Sequence, residues 1–300
     1  MPNQTKPALA TRGFQIAIVD YDDADDLKFA LRGIDTVIST VTGPNQILLI
    51  KAAVAARVRR FAPAEFEGLP QLRPANDPLD RQRTNALSWL RYYRDRIQHT
   101  VFACGIFYER FQPGGLPRSL IARNTGYHGE GSYIMDCARM TAEPPAFGSS
   151  NQPDVAICMT SIRDVARFVT KAIDLQTWPL ELRMCGERVT VHNLVILVQR
   201  LRSKMGYLKL CQSHHVLTSL PEARFQPLTS HSPSSLRAEL ASAAVQGDRL
   251  RVVKLQMLIA TAEGRYDFPT RNLNDAFPAL QVERFADWFV KKWEPQQADR

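Results

Sequence analysis

Apolar and polar positions in the first hundred residues alternate between strand-like and helix-like patterns. Phe14–Asp20 (FQIAIVD) is a short β-rich run, and the acidic group Asp22, Asp23, Asp25 and Asp26 then opens a helix carrying Leu27, Ala30 and Leu31. Negative charge in a first turn suits the positive end of the helix dipole. Gly33 closes that helix, and Ile34–Val41 (IDTVISTV) is a near-continuous apolar run of the kind buried on both faces of a parallel sheet. Thr42-Gly43-Pro44 is its terminating turn. Gln46–Val58 reads as a helix, Arg59–Phe66 begins as a strand, Leu79–Arg96 reads as a helix and Thr100–Gly105 as another strand. Strands separated by helices of this length require right-handed crossovers, so the pattern predicts an α/β fold with a doubly wound parallel sheet.

Beyond residue 105 the pattern loosens. Glycine and proline thicken between 106 and 155, which makes that stretch the expected boundary. Val155–Met159 reads as a strand, Ser161–Leu175 as a helix whose Ser161 and Asp164 match a capping box, and Thr190–Met205 as a helix. Val216–Ala244 gives only a Ser- and Pro-rich helix-and-loop pattern. Leu250–Ala262 is helical, and Val282–Trp293 is a C-terminal amphipathic helix. The expected division is a sheet domain over 1–150 and a smaller mixed α/β substrate region over 151–300, folded over the strand ends where open sheets bind ligands.

With 300 residues, 45% hydrophobic and 23% charged, the chain can build a full core and is not a disordered one. Its longest apolar runs fall far short of the roughly 18 residues a bilayer helix needs. The opening Met-Pro-Asn-Gln-Thr-Lys-Pro has no apolar core of a signal peptide, so a cytoplasmic address is the expectation. Five cysteines stand far apart without a C-x-x-C pair and read as reduced, mostly buried thiols. Cys211-x-x-His214-His215 is a local cluster, but no second ligand pair at zinc spacing completes it, so no metal is assigned. The balance of 38 basic against 30 acidic residues gives +8, with the arginines scattered along helix faces and no nucleic-acid-binding motif beside them.

A sheet of this kind invites a search for a glycine-rich phosphate turn, because a pyrophosphate needs close backbone approach and a helix N-terminus. None of the fifteen glycines supplies G-x-G-x-x-G or G-x-x-G-x-x-G after a strand. The nearest pattern, Gly126-x-x-Gly129-x-Gly131, follows no strand and opens no helix.

The runs GIDTVISTVTG (33–43), ILLIKAAVAARVRRFAPAEFEG (47–68), TVFACGIFYERF (100–111), TSIRDVARFVTKAI (160–173) and WPLELRMCGERVTVHNLVILVQRL (178–201) resemble the NmrA-like and isoflavone-reductase-like branch of the atypical short-chain dehydrogenases, particularly its fungal members. The similarity spans residues 7–293, and the A-x-V-R-R-F-x-P-x-E-F block is its most specific part. The resemblance implies a Rossmann-like domain binding NADP, followed by a small substrate-binding region. The family opens with a strand, a glycine turn, a helix and a second strand, a unit of about 40 residues. This chain enters the pattern near Lys6-Pro7. Two accounts follow: the recorded start lies downstream of the native one, or the present strand next to Gly33 re-pairs and tight cofactor binding has been given up. NADP is therefore the expected cofactor, with its glycine cradle missing from the sequence.

The family's cofactor contacts map onto Thr40, Val41 and Thr42 on the adenine and ribose side, and onto Pro63, Glu65 and Phe66 near the nicotinamide. Read without the resemblance, Thr40 and Thr42 simply terminate a strand and Phe66 is core. Isoflavone-type reductases carry a lysine in the next helix, and the match here is Arg83 in DRQRTNALSWL, with Arg81 the alternative. A guanidinium stays protonated, so Arg83 cannot be a general base, but it can hold a phosphate, a carboxylate or a developing oxyanion. The Tyr-x-x-x-Lys pair of common short-chain dehydrogenases is absent from the eight tyrosines. Tyr92, Tyr93 and Tyr108 fall near the presumed cleft, and Tyr108 and Arg110 are the candidates for substrate contact, with packing the competing reading.

The resemblance implies an NADPH-dependent oxidoreductase acting on a carbonyl or conjugated double bond of a small aromatic or polyketide-like metabolite. The association of the fungal branch with secondary metabolism suggests natural-product biosynthesis. The competing reading is a non-catalytic dinucleotide-sensing regulator or protein-binding module, favoured by the missing Tyr-x-x-x-Lys and by arginine at the lysine position.

Overall fold

The computed structural model describes residues 9–75, 77, 79–122, 129–145, 154–212 and 223–294, with backbone alone over 206–212. By compactness the chain falls into two units that interleave along the sequence, which differs from a single cut at residue 150. One comprises Met1–Ala64, Arg81–Val101 and Trp178–Leu180, the other Glu65–Asp80, Phe102–Thr177 and Glu181–Arg300.

In the first unit, helix α1 (Ala24–Ala30) has an N-cap, Asp23, that accepts from the backbone N–H of Asp25 at 2.9 Å and of Asp26 at 3.1 Å. The acidic cluster is thus a cap that satisfies orphan donors. Strand β1 (Thr36–Ile38), helix α2 (Pro44–Ala55), strand β2 (Arg60–Ala62), helix α3 (Arg83–Tyr92) and strand β3 (Gln98–His99) follow. The strands lie in the order β1-β2-β3 and both pairings are parallel, with Val37 opposite Phe61 and Phe61 opposite His99. The central strand β2 is buried throughout. Ile50, Ala53 and Val54 of α2 and Ala86 and Leu90 of α3 close a core around Phe61.

Arg60 explains part of the A-x-V-R-R-F block. Although charged it is 2% exposed; its Nε donates to Gln98 Oε1 at 3.0 Å, and its guanidinium lies 5.2 Å from the Trp178 ring centre. Its neighbour Arg59 points outward to a two-pronged pair with Asp35.

Two expectations are corrected here. Phe14–Asp20 belongs to no strand, and Phe14 and Ile18 are 55% and 76% exposed. A strand needs a neighbouring backbone, and among the described residues β1 pairs with β2 alone. The helix expected over Leu79–Arg96 begins only at Arg83, because Arg81 and Gln82 have φ of 48° and 59° and a right-handed helix cannot pass through them.

The second unit contains strands β4 (Val101–Ala103), β5 (Ile106–Phe107), β6 (Met135–Asp136), β7 (Thr141–Ala142) and β8 (Ala156–Thr160), then helix α4 (Ile162–Ile173) and strands β9 (Glu181–Arg183) and β10 (Glu187–Thr190). Helices α5 (Val191–Gln212), α6 (Pro233–Val245), α7 (Arg249–Ala262), α8 (Asn272–Ala276) and α9 (Phe285–Trp293) complete it. In the order β10-β8-β5, the fully buried β8 is antiparallel to β10 and parallel to β5. Gly105 stands where no other residue fits: its φ is +70°, and a Cβ there would lie 2.0 Å from the Cys158 carbonyl oxygen. A core of Tyr108, Phe111, Tyr133, Val195, Leu258, Phe285, Trp288 and Phe289 packs α5, α7 and α9 over the sheet. Cys104, Cys137, Cys158 and Cys185 are buried. The side chain of Cys211, together with Gly126, His214 and His215, lies outside the described residues.

Candidate functional site

In the first unit, the C-terminal ends of β1 and β2 carry the polar groups that the sequence places there. Ser39 donates its N–H to Ala62 O at 2.8 Å, prolonging the parallel pairing. Its hydroxyl then turns the chain by accepting from Val41 N at 3.2 Å. Thr40 and Thr42 are exposed on either side of half-buried Val41 at the strand end. Gly43, with φ +77°, reverses the chain into α2, whose first turn has Pro44 and no side-chain cap. The helix dipole gives this end partial positive charge.

The same turn touches the start of α3. Gly43 N donates to Arg81 O at 3.1 Å, which brings Thr40–Gly43 beside the Arg81–Gln82–Arg83 turn. Arg83, at the first position of α3, is 8% exposed, whereas Arg81 is exposed. A solvated helix surface therefore does not describe Arg83. Pro63 is buried just after β2. Beyond it, Ala64 donates its N–H to Gln46 Oε1 at 2.6 Å, tying the end of β2 to the first turn of α2.

Glu65 and Phe66 belong to the second unit. Glu65 is fully buried, and both its oxygens accept from the guanidinium of Arg73, itself 2% exposed; Arg73 also pairs with Asp80 at 3.1 Å. A carboxylate held in this way is occupied structurally: it anchors the 65–80 segment. A second buried cation, Arg265, performs the same task with Asp77 at 2.6 Å and Glu67 at 3.2 Å, and Tyr266 OH donates to Glu67 at 3.3 Å. Phe66, half-buried, stacks on Phe102 with ring centres 5.8 Å apart.

Tyr108 and Arg110 flank a third residue that the sequence did not single out. Tyr108 is fully buried, its ring packs edge-on against Phe285 at 5.2 Å, and its hydroxyl donates to Glu283 O at 3.1 Å. Burial raises its phenol well above the ordinary range. It is a packing residue, the competing reading of the two weighed from sequence. Half-buried Arg110 lies 5.6 Å from the Tyr133 ring centre. Tyr92 is exposed and Tyr93 half-buried at the end of α3, in edge contact with each other.

Between Tyr108 and Arg110, Glu109 is buried, and both its oxygens accept from Ile162 N at 3.2 Å, at the N-terminus of α4. Burial pushes its carboxyl up to about 7, partly opposed by the backbone donors and by Lys292. Nothing local marks Glu109 or Gln46. The only sequence trace of Gln46 is an amide on a helix face otherwise made of Ile47, Ile50 and Ala53.

These arrangements define the class: an α/β chain whose parallel sheet presents hydroxyls, helix N-termini and a buried arginine at its strand ends. No family model matches the chain. It is 22% identical over 306 residues to the oxidoreductase swnN of Arthroderma benhamiae, covering 93% of this chain and 91% of that protein. Among solved structures it resembles an isoflavone reductase with a TM-score of 0.68 at 16% identity, over 97% of this chain and 87% of that one. The NADPH complex of leucoanthocyanidin reductase from Vitis vinifera gives 0.64 at 16% identity, with the same coverage. The chain is thus similar in fold to these Rossmann-type reductases.

Proposed function

We propose that the protein is an NADPH-dependent oxidoreductase that reduces a carbonyl or conjugated double bond of a small aromatic or polyketide-like metabolite. One observation carries this reading: the Gly43–Arg81 hydrogen bond gathers Thr40, Val41 and Thr42, the uncapped start of α2 and buried Arg83 at one end of a parallel sheet. Open α/β sheets take their ligands there. The names of the similar proteins, an oxidoreductase and an NADPH-bound reductase, support the same reading.

When bound, NADPH supplies the hydride. The hydroxyls of Thr40 and Thr42 and the backbone of Val41 and Pro63 are the groups offered to its ribose and base edges. Arg83 remains cationic at cellular pH and acts by charge, holding a phosphate, a carboxylate or the oxyanion that develops as a carbonyl is reduced. Removing that charge without disturbing the fold should lower turnover in Arg83→Ala about ten-fold or more, equivalent to about 1.4 kcal/mol. Unchanged kinetics would refute the role.

The second reading, a dinucleotide-sensing regulator, is favoured by the absence of Tyr-x-x-x-Lys from the sequence and by arginine at the lysine position. Titrating the purified chain with NADPH and NADP, then following NADPH absorbance with candidate ketones and enones, separates the two. Binding with consumption supports the reductase, binding without it supports the regulator, and no binding refutes both.

A further inference from the structure

We infer that Gln46 is a ligand-binding residue: its side-chain amide nitrogen is the donor kept for an oxygen of the dinucleotide at the ends of β1 and β2. The inference rests on the proposal that the chain binds NADP(H).

Gln46 is fully buried at the third position of α2, beside Ile47 and Ile50. Its tie to Ala64 uses the oxygen of the amide and leaves the nitrogen unaccounted for. The orientation of the amide is fixed by its partner. Ala64 offers a backbone N–H at 2.6 Å, which only Oε1 can accept, so the other end is Nε2 with its two N–H donors. That Nε2 is buried and has no hydrogen-bond partner among the described residues. Buried donors are almost always satisfied, because an unmet one forfeits its hydration without compensation.

The surroundings indicate which kind of acceptor answers it. The N-cap of α2 is Gly43, which has no side chain to cap the first turn, and the dipole there favours electron-rich oxygen. Ser39, the nearest buried hydroxyl in sequence, is taken up by Val41. The Gln46–Ala64 bond sets the amide just past the C-terminal end of β2, which pairs in parallel with β1, and this is the end from which an open sheet is approached. Nucleotide ribose, phosphate and carboxamide oxygens share the chemistry required: each accepts from a neutral amide.

The decisive variant is Gln46→Glu. It keeps an oxygen for Ala64 N–H and replaces the free donor with a second acceptor, so loss of binding is separable from loss of the tie to β2. The full chain and the variant are titrated with NADPH, with adenosine 2′,5′-bisphosphate and with nicotinamide mononucleotide, using thermal shift and ligand fluorescence. The expected result is a ten-fold or greater weakening of NADPH binding by a variant that still melts cooperatively, at a temperature lowered by its buried carboxyl. Weakening of only one fragment identifies the half of the cofactor that meets Nε2. Equal NADPH affinity in variant and wild type overturns the role of Gln46 while leaving the oxidoreductase reading intact. Failure of the wild type to bind overturns both. Should the variant not fold, the side-chain amide resonance of Gln46 in the wild-type chain, assigned through its own backbone, is followed instead: movement on adding NADPH supports the inference, and a stationary resonance overturns it.

Discussion

Glu109 makes a quantitative prediction about pH. Its carboxyl is raised from an ordinary 4.5 to about 7 by burial, with Asp164 adding to the rise and Lys292 and two backbone N–H groups opposing it. Because the folded chain holds the proton more tightly than the unfolded chain, stability contributed by this group is present below its unfolded pKa. It is lost as pH rises toward the folded one. At about 1.4 kcal/mol for each ten-fold change in acidity, the loss approaches about 3 kcal/mol above pH 7. Glu109→Gln removes the ionisation and keeps an oxygen for Ile162 N–H. The variant should therefore gain on the wild type as pH rises, with little difference near pH 4.5 and up to about 3 kcal/mol at about pH 8. Denaturant unfolding of both proteins across that range measures the difference directly. A gap independent of pH, or one that grows toward acid, would show that the carboxyl is ionised in the fold and that the backbone N–H groups of Glu109 and Ile162 and the Lys292 ammonium outweigh its burial.

Other perturbations test the elements around the site. Gly105→Ala meets both a left-handed backbone and the Cys158 carbonyl, and should cost about 3 kcal/mol or more in a urea melt; a loss below about 1 would refute that crowding. Arg265→Met leaves Asp77 and Glu67 without their buried cation and should destabilise by about 3–5 kcal/mol. Combining it with Asp77→Asn and Glu67→Gln should restore part of the loss, and an unimproved triple variant would refute the charge origin. The ten-fold effect of Arg83→Ala is to be read in kcat with a melting temperature close to wild type.

Much of the local structure was legible. The apolar period of Gln46–Val58, the strand run ending at Val41 and the Ser161/Asp164 pair correspond to α2, β1 and the cap of α4. In that cap Asp164 N donates to Ser161 Oγ at 3.1 Å. The other half of the pattern differs, since an Asp164 oxygen accepts from Glu283 N at 2.9 Å. That partner lies 119 residues away, beyond any local pattern. The candidate residues divide similarly. Thr40–Thr42 lie in the turn after β1, which a Gly43–Arg81 hydrogen bond joins to the turn that opens α3 at Arg83, whereas Glu65 is claimed by Arg73 and Tyr108 by the aromatic core around Phe285.

The sequence by itself determined what depends on neighbours in the chain: the period of helices and strands, the caps, the glycine turn before α2 and the missing glycine-rich motif. Only the tertiary structure decided what depends on whatever packs alongside. Phe14–Asp20, apolar enough for a strand, stays outside the sheet because no backbone pairs with it. Gln46 and Glu109 acquire their chemistry from partners at Ala64 and Ile162. Hydrogen bonding and desolvation act through space, so the polarity of a side chain can be read in one dimension and its surroundings cannot.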